Sequence, residues 1–201
     1  MQSYCVIILL QVCHVFGFWQ DDLMPKPKKN KGLTKEQKQL NVALELAADI
    51  HRNQVRKAPD GRPYICYVLD VVIALPEHKH LERLVAALHD TVEDSPKGKR
   101  AALRQKIKRL FGPKVLAGVD AMTHHKTKGL SEDEELAEYL DYVESKVGNN
   151  KAAVPVKIID NYVNMKDRVT QFVAGGKDAE NARKKLHQYA SSIVLLTEKR
   201  G

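Results

Sequence analysis

The stretch HLERLVAALHDTVED at 80–94 sets Leu81, Leu84, Val85, Leu88 and Val92 three or four residues apart, on one face of a helix. That period belongs to an amphipathic helix burying an apolar stripe, and it is incompatible with the alternation of a half-buried strand. The same spacing recurs upstream in Leu40, Ala43, Leu44, Ala47 and Ile50. Thr34 stands before that run and Gln37 three residues later, which is a capping box, so a helix is predicted over 34–52. Further helices are predicted over 64–75, 80–94, 100–111, 113–122, 131–147, 155–168 and 178–199. Ser131 caps an acidic first turn, and Pro155 sits where a helix start tolerates it. No period-2 run, hairpin turn or internal repeat is visible. The class read from these patterns is all-α, a single bundle of about seven or eight helices.

The length of 201 residues suits one domain with a tail. Residues 1–33 read as an N-terminal extension with a basic linker at 25–32, and 34–201 as the folded domain. Residues 5–19 are apolar but interrupted by Gln11 and His14. They fall short of the roughly 20 residues that span a bilayer, and they lack a signal peptide's charged start and cleavage site. A membrane role is therefore not expected, and Met24 is an alternative start. Cys5, Cys13 and Cys66 are odd in number and far apart, which excludes a disulfide framework or a paired zinc site and points to the reducing cytoplasm. The formal net charge of +8 favours an anionic partner without choosing among nucleotide, nucleic acid and membrane surface.

The chemistry concentrates at two places. His89 and Asp90 are adjacent in the periodic segment, with Glu93 and Asp94 each four residues on. Imidazole with carboxylates suits a divalent metal, and the same four groups also suit a solvated helix face. The second place is VKIIDNYVNMKDR at 156–168, apolar on most sides, with Asp160 and Asn164 four residues apart. A carboxylate buried there needs a partner. A cation shared with His89 and Asp90 would serve, and so would a salt bridge to Lys157 or to a remote Arg.

These motifs, in this order, resemble the HD-domain (p)ppGpp hydrolases: the hydrolase half of RelA/SpoT enzymes and the small stand-alone alarmone hydrolases. The strings that carry the resemblance are IHRNQVRKAPDGRPYI at 50–65, AALHDTVEDS at 86–95, Phe111-Gly112 and VKIIDNYVNMKDR. The resemblance implies a helical HD fold, a bound Mn²⁺ or other divalent metal, and release of pyrophosphate from the 3′ position of a guanosine tetra- or pentaphosphate. By position it implies His89, Asp90 and Asp160 as metal ligands and Glu93 and Asp94 as the acidic pair managing the attacking water. It implies Arg56, Lys57 and Asn164 as nucleotide-binding groups. A guanosine polyphosphate or related nucleotide is the expected partner, and nucleic acid is not.

One position departs. The family usually reads PYI-x-HP, whose His is the first metal ligand; here the run is Pro63-Tyr64-Ile65-Cys66-Tyr67-Val68, with Tyr67 in place of that imidazole. Ile159-Asp160-Asn161-Tyr162 also departs from the family's Ala-Asp-Arg/Lys-Leu. Three ligands that still hold a metal, an HD hydrolase of another nucleotide, and a catalytically silent nucleotide-binding protein are the readings this leaves open. His78, His80 and the His124-His125 pair read as solvated, and His51 stands where the family often carries a histidine that is not a ligand. The basic segment 97–109 reads as a solvated amphipathic face.

Overall fold

The computed structural model describes residues 32–57 and 61–198. The apolar run at 5–19, Met24, nearly all of the linker and the predicted end of the last helix at 199 lie outside them. Packing divides the chain into Met1–Leu33 and Thr34–Gly201, and every element below belongs to the second unit. The elements are α1 (Lys35–Ile50), α2 (Tyr64–Ala74), α3 (His80–Leu88), α4 (Thr91–Asp94, one turn), α5 (Arg100–Phe111), α6 (Pro113–Met122), α7 (Glu132–Tyr142), α8 (Ala153–Ala174) and α9 (Ala179–Glu198). The fold is all-α, as the periodicity predicts. Among the described residues the only extended pairing is an isolated antiparallel bridge between Val55 and Pro63.

The helix starts form for the reason the sequence suggests. Thr34 Oγ1 accepts from the Gln37 N–H at 3.2 Å, and Gln37 Oε1 accepts from the Thr34 N–H at 2.9 Å. Ser131 and Glu134 repeat the box on α7, whose first turn carries four carboxylates at the positive end of its dipole. The hub is α3: Leu84, Val85, Ala86, Ala87 and Leu88 are all buried, and the helix packs on α1, α2, α6 and α8. Its approach to α6 requires Gly118, where a Cβ would lie 2.5 Å from Val85 Cγ2. Gly118→Val is therefore expected to cost about 1–3 kcal/mol by overpacking. A thermal melt would show this as a lower midpoint, and an unchanged midpoint would mean that α3 and α6 have slack.

Three predicted segments are corrected. Residues 80–94 form two pieces, because the chain leaves regular helix at His89-Asp90, where Asp90 has φ −95° and ψ −7°. Thr91 Oγ1 bonds the Leu88 carbonyl at the break and Ser95 Oγ the Thr91 carbonyl at the end of α4, both at 2.7 Å, so side chains satisfy acceptors at each helix end. The stripe continues across the break, with Val92 buried, which is why periodicity alone could not reveal it. Helix α7 passes into a π-type turn at Val143–Val147 rather than remaining α-helical to 147. Helix α8 continues six residues beyond the predicted end at 168, to Gly175 at φ +73°. It is not apolar-buried all round, since Tyr162 is 59% exposed. No described helix is long and apolar enough to cross a membrane.

Candidate active site

The break after α3 turns His89 and Asp90 toward α8. His89 is buried, and its Nδ1–H donates to the Ala86 carbonyl at 2.8 Å, which aims Nε2 into the interior. Nε2 lies 2.9 Å from Asp90 Oδ2 and 3.8 Å from Asp160 Oδ1, and it makes no aligned hydrogen bond. Burial alone would lower the imidazole's pKa. The Asp90 carboxylate outweighs it, with help from Asp160, and pushes the value up to about 9. Asp90 is held well below the usual carboxylate range: burial opposes this, but His89, the Tyr64 hydroxyl at 2.6 Å and Lys157 prevail. Asp160 Oδ2 accepts from Lys157 Nζ at 3.1 Å, while Oδ1 accepts from Asn164 Nδ2 at 2.7 Å and from the Tyr67 hydroxyl. Of the partners weighed for Asp160, Lys157 is thus bonded to it, and the His89-Asp90 pair that would share a cation with it lies alongside.

Glu93 and Asp94 occupy α4, at the edge of the same cleft. Glu93 Oε2 accepts from the His124 backbone N–H at 3.1 Å, and the Glu93 carbonyl accepts from Arg100. Asp94 Oδ2 lies 3.6 Å from His51 Nδ1. Burial, then the Asp90 charge, raises the Asp94 pKa, a shift that suits a group exchanging protons nearer neutral pH.

The wall is basic. Gln54, Val55 and Arg56 meet the strand-like start of α2 through the Arg56 N–H to Arg62 carbonyl bond at 2.8 Å and the Tyr64 N–H to Gln54 carbonyl bond at 3.0 Å. This fixes Arg56, whose Nε bonds Asp167 at 3.0 Å and whose Nη2 bonds Asn164 Oδ1 at 2.5 Å. Its guanidinium lies 3.7 Å from the Tyr67 ring centroid. Lys57 is exposed at the mouth, with its carbonyl bonded by Gln171 Nε2 at 2.8 Å. Arg56, Lys57, Asn164, Lys126, Arg168 and Tyr189 line a cavity of about 470 Å³. It joins a deeper one of about 220 Å³ that reaches His89, Asp90, Glu93, Lys157 and Asp160. The structure therefore brings all eight candidate residues to one cleft. It adds Lys126, Lys157, Arg168, Lys185 and Tyr189, which the sequence reading did not assign to a site. Of these, the sequence offers Lys157 only as an ion-pair partner for Asp160 and Arg168 only as the residue closing the 156–168 motif.

The donor chemistry fits a divalent cation. An imidazole held through Nδ1, with Nε2 buried 2.9 Å from Asp90 Oδ2 and 3.8 Å from Asp160 Oδ1, offers the donor set of a metal-binding histidine, with a proton rather than a metal between ring and carboxylate in the metal-free fold. Among the described residues, no three His, Cys, Asp or Glu side chains already stand in a metal-holding cluster. Tyr67 and Lys157 engage Asp160 instead.

Two other expectations change. His124 is not solvated: it stacks on Tyr142 at 4.4 Å and pairs with both Glu138 oxygens at 3.1 Å, while His125 is exposed. His80 is partly buried and bonds Gln39 at 3.0 Å, and His78 is exposed. His51 is buried against Tyr64.

A helical bundle that sets a His-Asp pair against a later aspartate, beneath a basic cleft, is a protein of the HD class. No family model matches the chain. It is 32% identical over 136 residues to human guanosine-3′,5′-bis(diphosphate) 3′-pyrophosphohydrolase MESH1, covering 66% of this chain and 70% of that one. It is 33% identical over 145 residues to the Brucella melitensis GTP pyrophosphokinase rsh, of which it spans 18%. The solved structure of a metazoan ortholog of SpoT that hydrolyzes ppGpp superposes with a TM-score of 0.56 at 22% identity, over 83% of this chain and 96% of that one. The chain belongs to the MESH1 family of HD-domain (p)ppGpp hydrolases.

Proposed function

We propose that this protein removes pyrophosphate from the 3′ position of guanosine tetra- or pentaphosphate, with residues 34–201 as the hydrolase domain and residues 1–33 as an extension. The observation that carries the reading is the polarity of the cleft, acidic at its floor (Asp90, Glu93, Asp160) and cationic along its wall (Arg56, Lys57, Lys126, Arg168). A polyphosphate needs the second, and a cation that activates its hydrolysis needs the first. His89, Asp90 and Asp160 would hold a divalent metal, which we assign as Mn²⁺. Such an ion lowers the pKa of bound water and polarises a phosphoryl oxygen. Arg56, Lys57, Lys126 and Arg168 bind the phosphate chain by charge-assisted hydrogen bonds. Glu93, fixed by the His124 N–H, and Asp94, with its raised pKa, take the proton of the attacking water and return one to the departing ribose 3′ oxygen. The new bond is water oxygen to phosphorus, and the bond broken joins that phosphorus to the 3′ oxygen. The cytoplasm is the compartment we assign, on the widely spaced cysteines.

The test is incubation with Mn²⁺ and ppGpp, following GDP and pyrophosphate. Turnover is expected, and Lys126→Ala should raise KM about tenfold with little change in kcat, since one lost charge-assisted bond is worth about 1.5 kcal/mol. Turnover of a different nucleotide, with ppGpp inert, would replace the substrate assignment. No turnover of any nucleotide would overturn the enzymatic reading.

A further inference from the structure

Tyr67 is buried in α2, and its hydroxyl lies at the floor of the cleft. It donates to Asp160 Oδ1 and accepts from Asn164 Nδ2 at 2.9 Å. Its ring stands edge-on to His89, with centroids 5.7 Å apart, and its face carries the Arg56 guanidinium. Asp160 accepts from three donors as a result. Tyr67 and Asn164 take one oxygen and Lys157 takes the other.

Covalent reach explains what this hydroxyl does. A phenol carries its oxygen about 2 Å farther along the side-chain axis than an imidazole carries Nε2, which is about one metal–nitrogen bond. An imidazole at this position would point its nitrogen at an ion. The phenol's longer reach carries its own oxygen onto Asp160, one of the groups such an ion would use. Tyr67 is too well packed to swing aside freely, being wedged between Arg56, Tyr64 and His89.

We propose that Tyr67 is a built-in stopper of the cation site, its hydroxyl occupying the ion's place on Asp160. This rests on the assignment of His89, Asp90 and Asp160 as the donors. A cation entering must break the Tyr67–Asp160 hydrogen bond and displace a buried side chain, so the chain holds metal more weakly than its donor set alone would. Removing the hydroxyl alone would leave the ring carbon about one carbon–oxygen bond from that place, so the ring has to be shortened or removed to clear it and return a lone pair of Asp160 to the ion.

The experiment is a calorimetric Mn²⁺ titration of the metal-stripped full chain, the Tyr67→Ala variant and the Tyr67→His variant. Thermal melts accompany it to verify that all three are folded. Tyr67→Ala, which clears the place without adding a donor, is expected to bind at least tenfold more tightly than the parent. Tyr67→His, which adds a nitrogen donor at a shorter reach, is expected to bind more tightly still. A Tyr67→Ala variant binding Mn²⁺ equally or less tightly would overturn the proposal, since the tyrosine would then be a bystander or itself a ligand. Absence of Mn²⁺ binding in all three folded proteins would overturn the donor assignment itself, and the stopper with it. The two failures are thus distinguishable, and neither depends on catalytic turnover.

Discussion

Asp90→Asn is expected to reduce ppGpp hydrolysis by about 10³-fold, about 4 kcal/mol of barrier, while leaving the protein folded. The substitution keeps the shape of the side chain and an oxygen for the Tyr64 hydroxyl, which now bonds Oδ2 at 2.6 Å. What it removes is charge. Asp90 supplies one of two carboxylates beside His89 Nε2, and it is the nearer, at 2.9 Å against 3.8 Å for Asp160. Asp160 cannot compensate, because Lys157 already neutralises it. His89 is able to lose its proton when the carboxylate goes, so the variant is not left with an uncompensated buried charge. A loss of turnover together with loss of the folded far-ultraviolet signal would point to structure instead. Turnover within tenfold of the parent, in a folded variant, would remove Asp90 from the site.

The class of fold was legible because helix formation here is local. The Thr34 and Ser131 capping boxes and the stripe through Leu81, Leu84, Val85, Leu88 and Val92 each lie within a few residues of sequence, and each forms as written. The break at His89-Asp90 was not legible, since the buried face continues through Val92 and the side-chain bonds at the helix ends come from Thr91 and Ser95, ordinary residues in a helical string. The exposure of Tyr162 was hidden for a related reason. Composition shows that α8 is apolar, but not that its packing against α9 and α3 leaves that position uncovered.

The site divides the same way. His89, Asp90 and Asp160 could be named by chemistry, because a buried carboxylate or imidazole must find a partner. Arg56 meets Asn164 across 108 positions of chain, and Tyr67 meets Asp160 across 93. No periodicity encodes such meetings. Lys126 and Lys185 approach the cleft from a loop and from α9, and neither carries a local pattern that separates it from the many solvated lysines of a chain with 33 basic residues. Tyr67 is the extreme case: the sequence places a phenol where the family carries an imidazole, and its contact with Asp160 arises only in the fold.

The metal-free protein is expected to lose stability as pH rises from about 6.5 to about 9, by up to about 3 kcal/mol. The group responsible is His89. In the unfolded chain its imidazole titrates near 6.5. In the fold, burial disfavours the charged ring, but the Asp90 carboxylate outweighs that and holds the proton until about pH 9. Below pH 6.5 both states are protonated and the His89–Asp90 attraction stabilises the fold in full. Between the two values the folded state binds a proton that the unfolded state does not, so each added pH unit favours unfolding. Above about 9 both states are neutral and the contribution is gone. For a chain of this size, 1 kcal/mol corresponds to about 2–4 °C, so the melting midpoint in chelator should fall by about 6–12 °C across the window. His89→Gln should flatten that part of the profile, because the glutamine does not titrate and the remaining groups are common to both proteins. An equal slope in the variant would mean that the proton is not held at His89. Excess Mn²⁺ gives an independent reading. A cation on Nε2 takes the proton's place and binds better as the ring deprotonates, so with saturating metal the decline between pH 6.5 and 9 should be reduced or reversed.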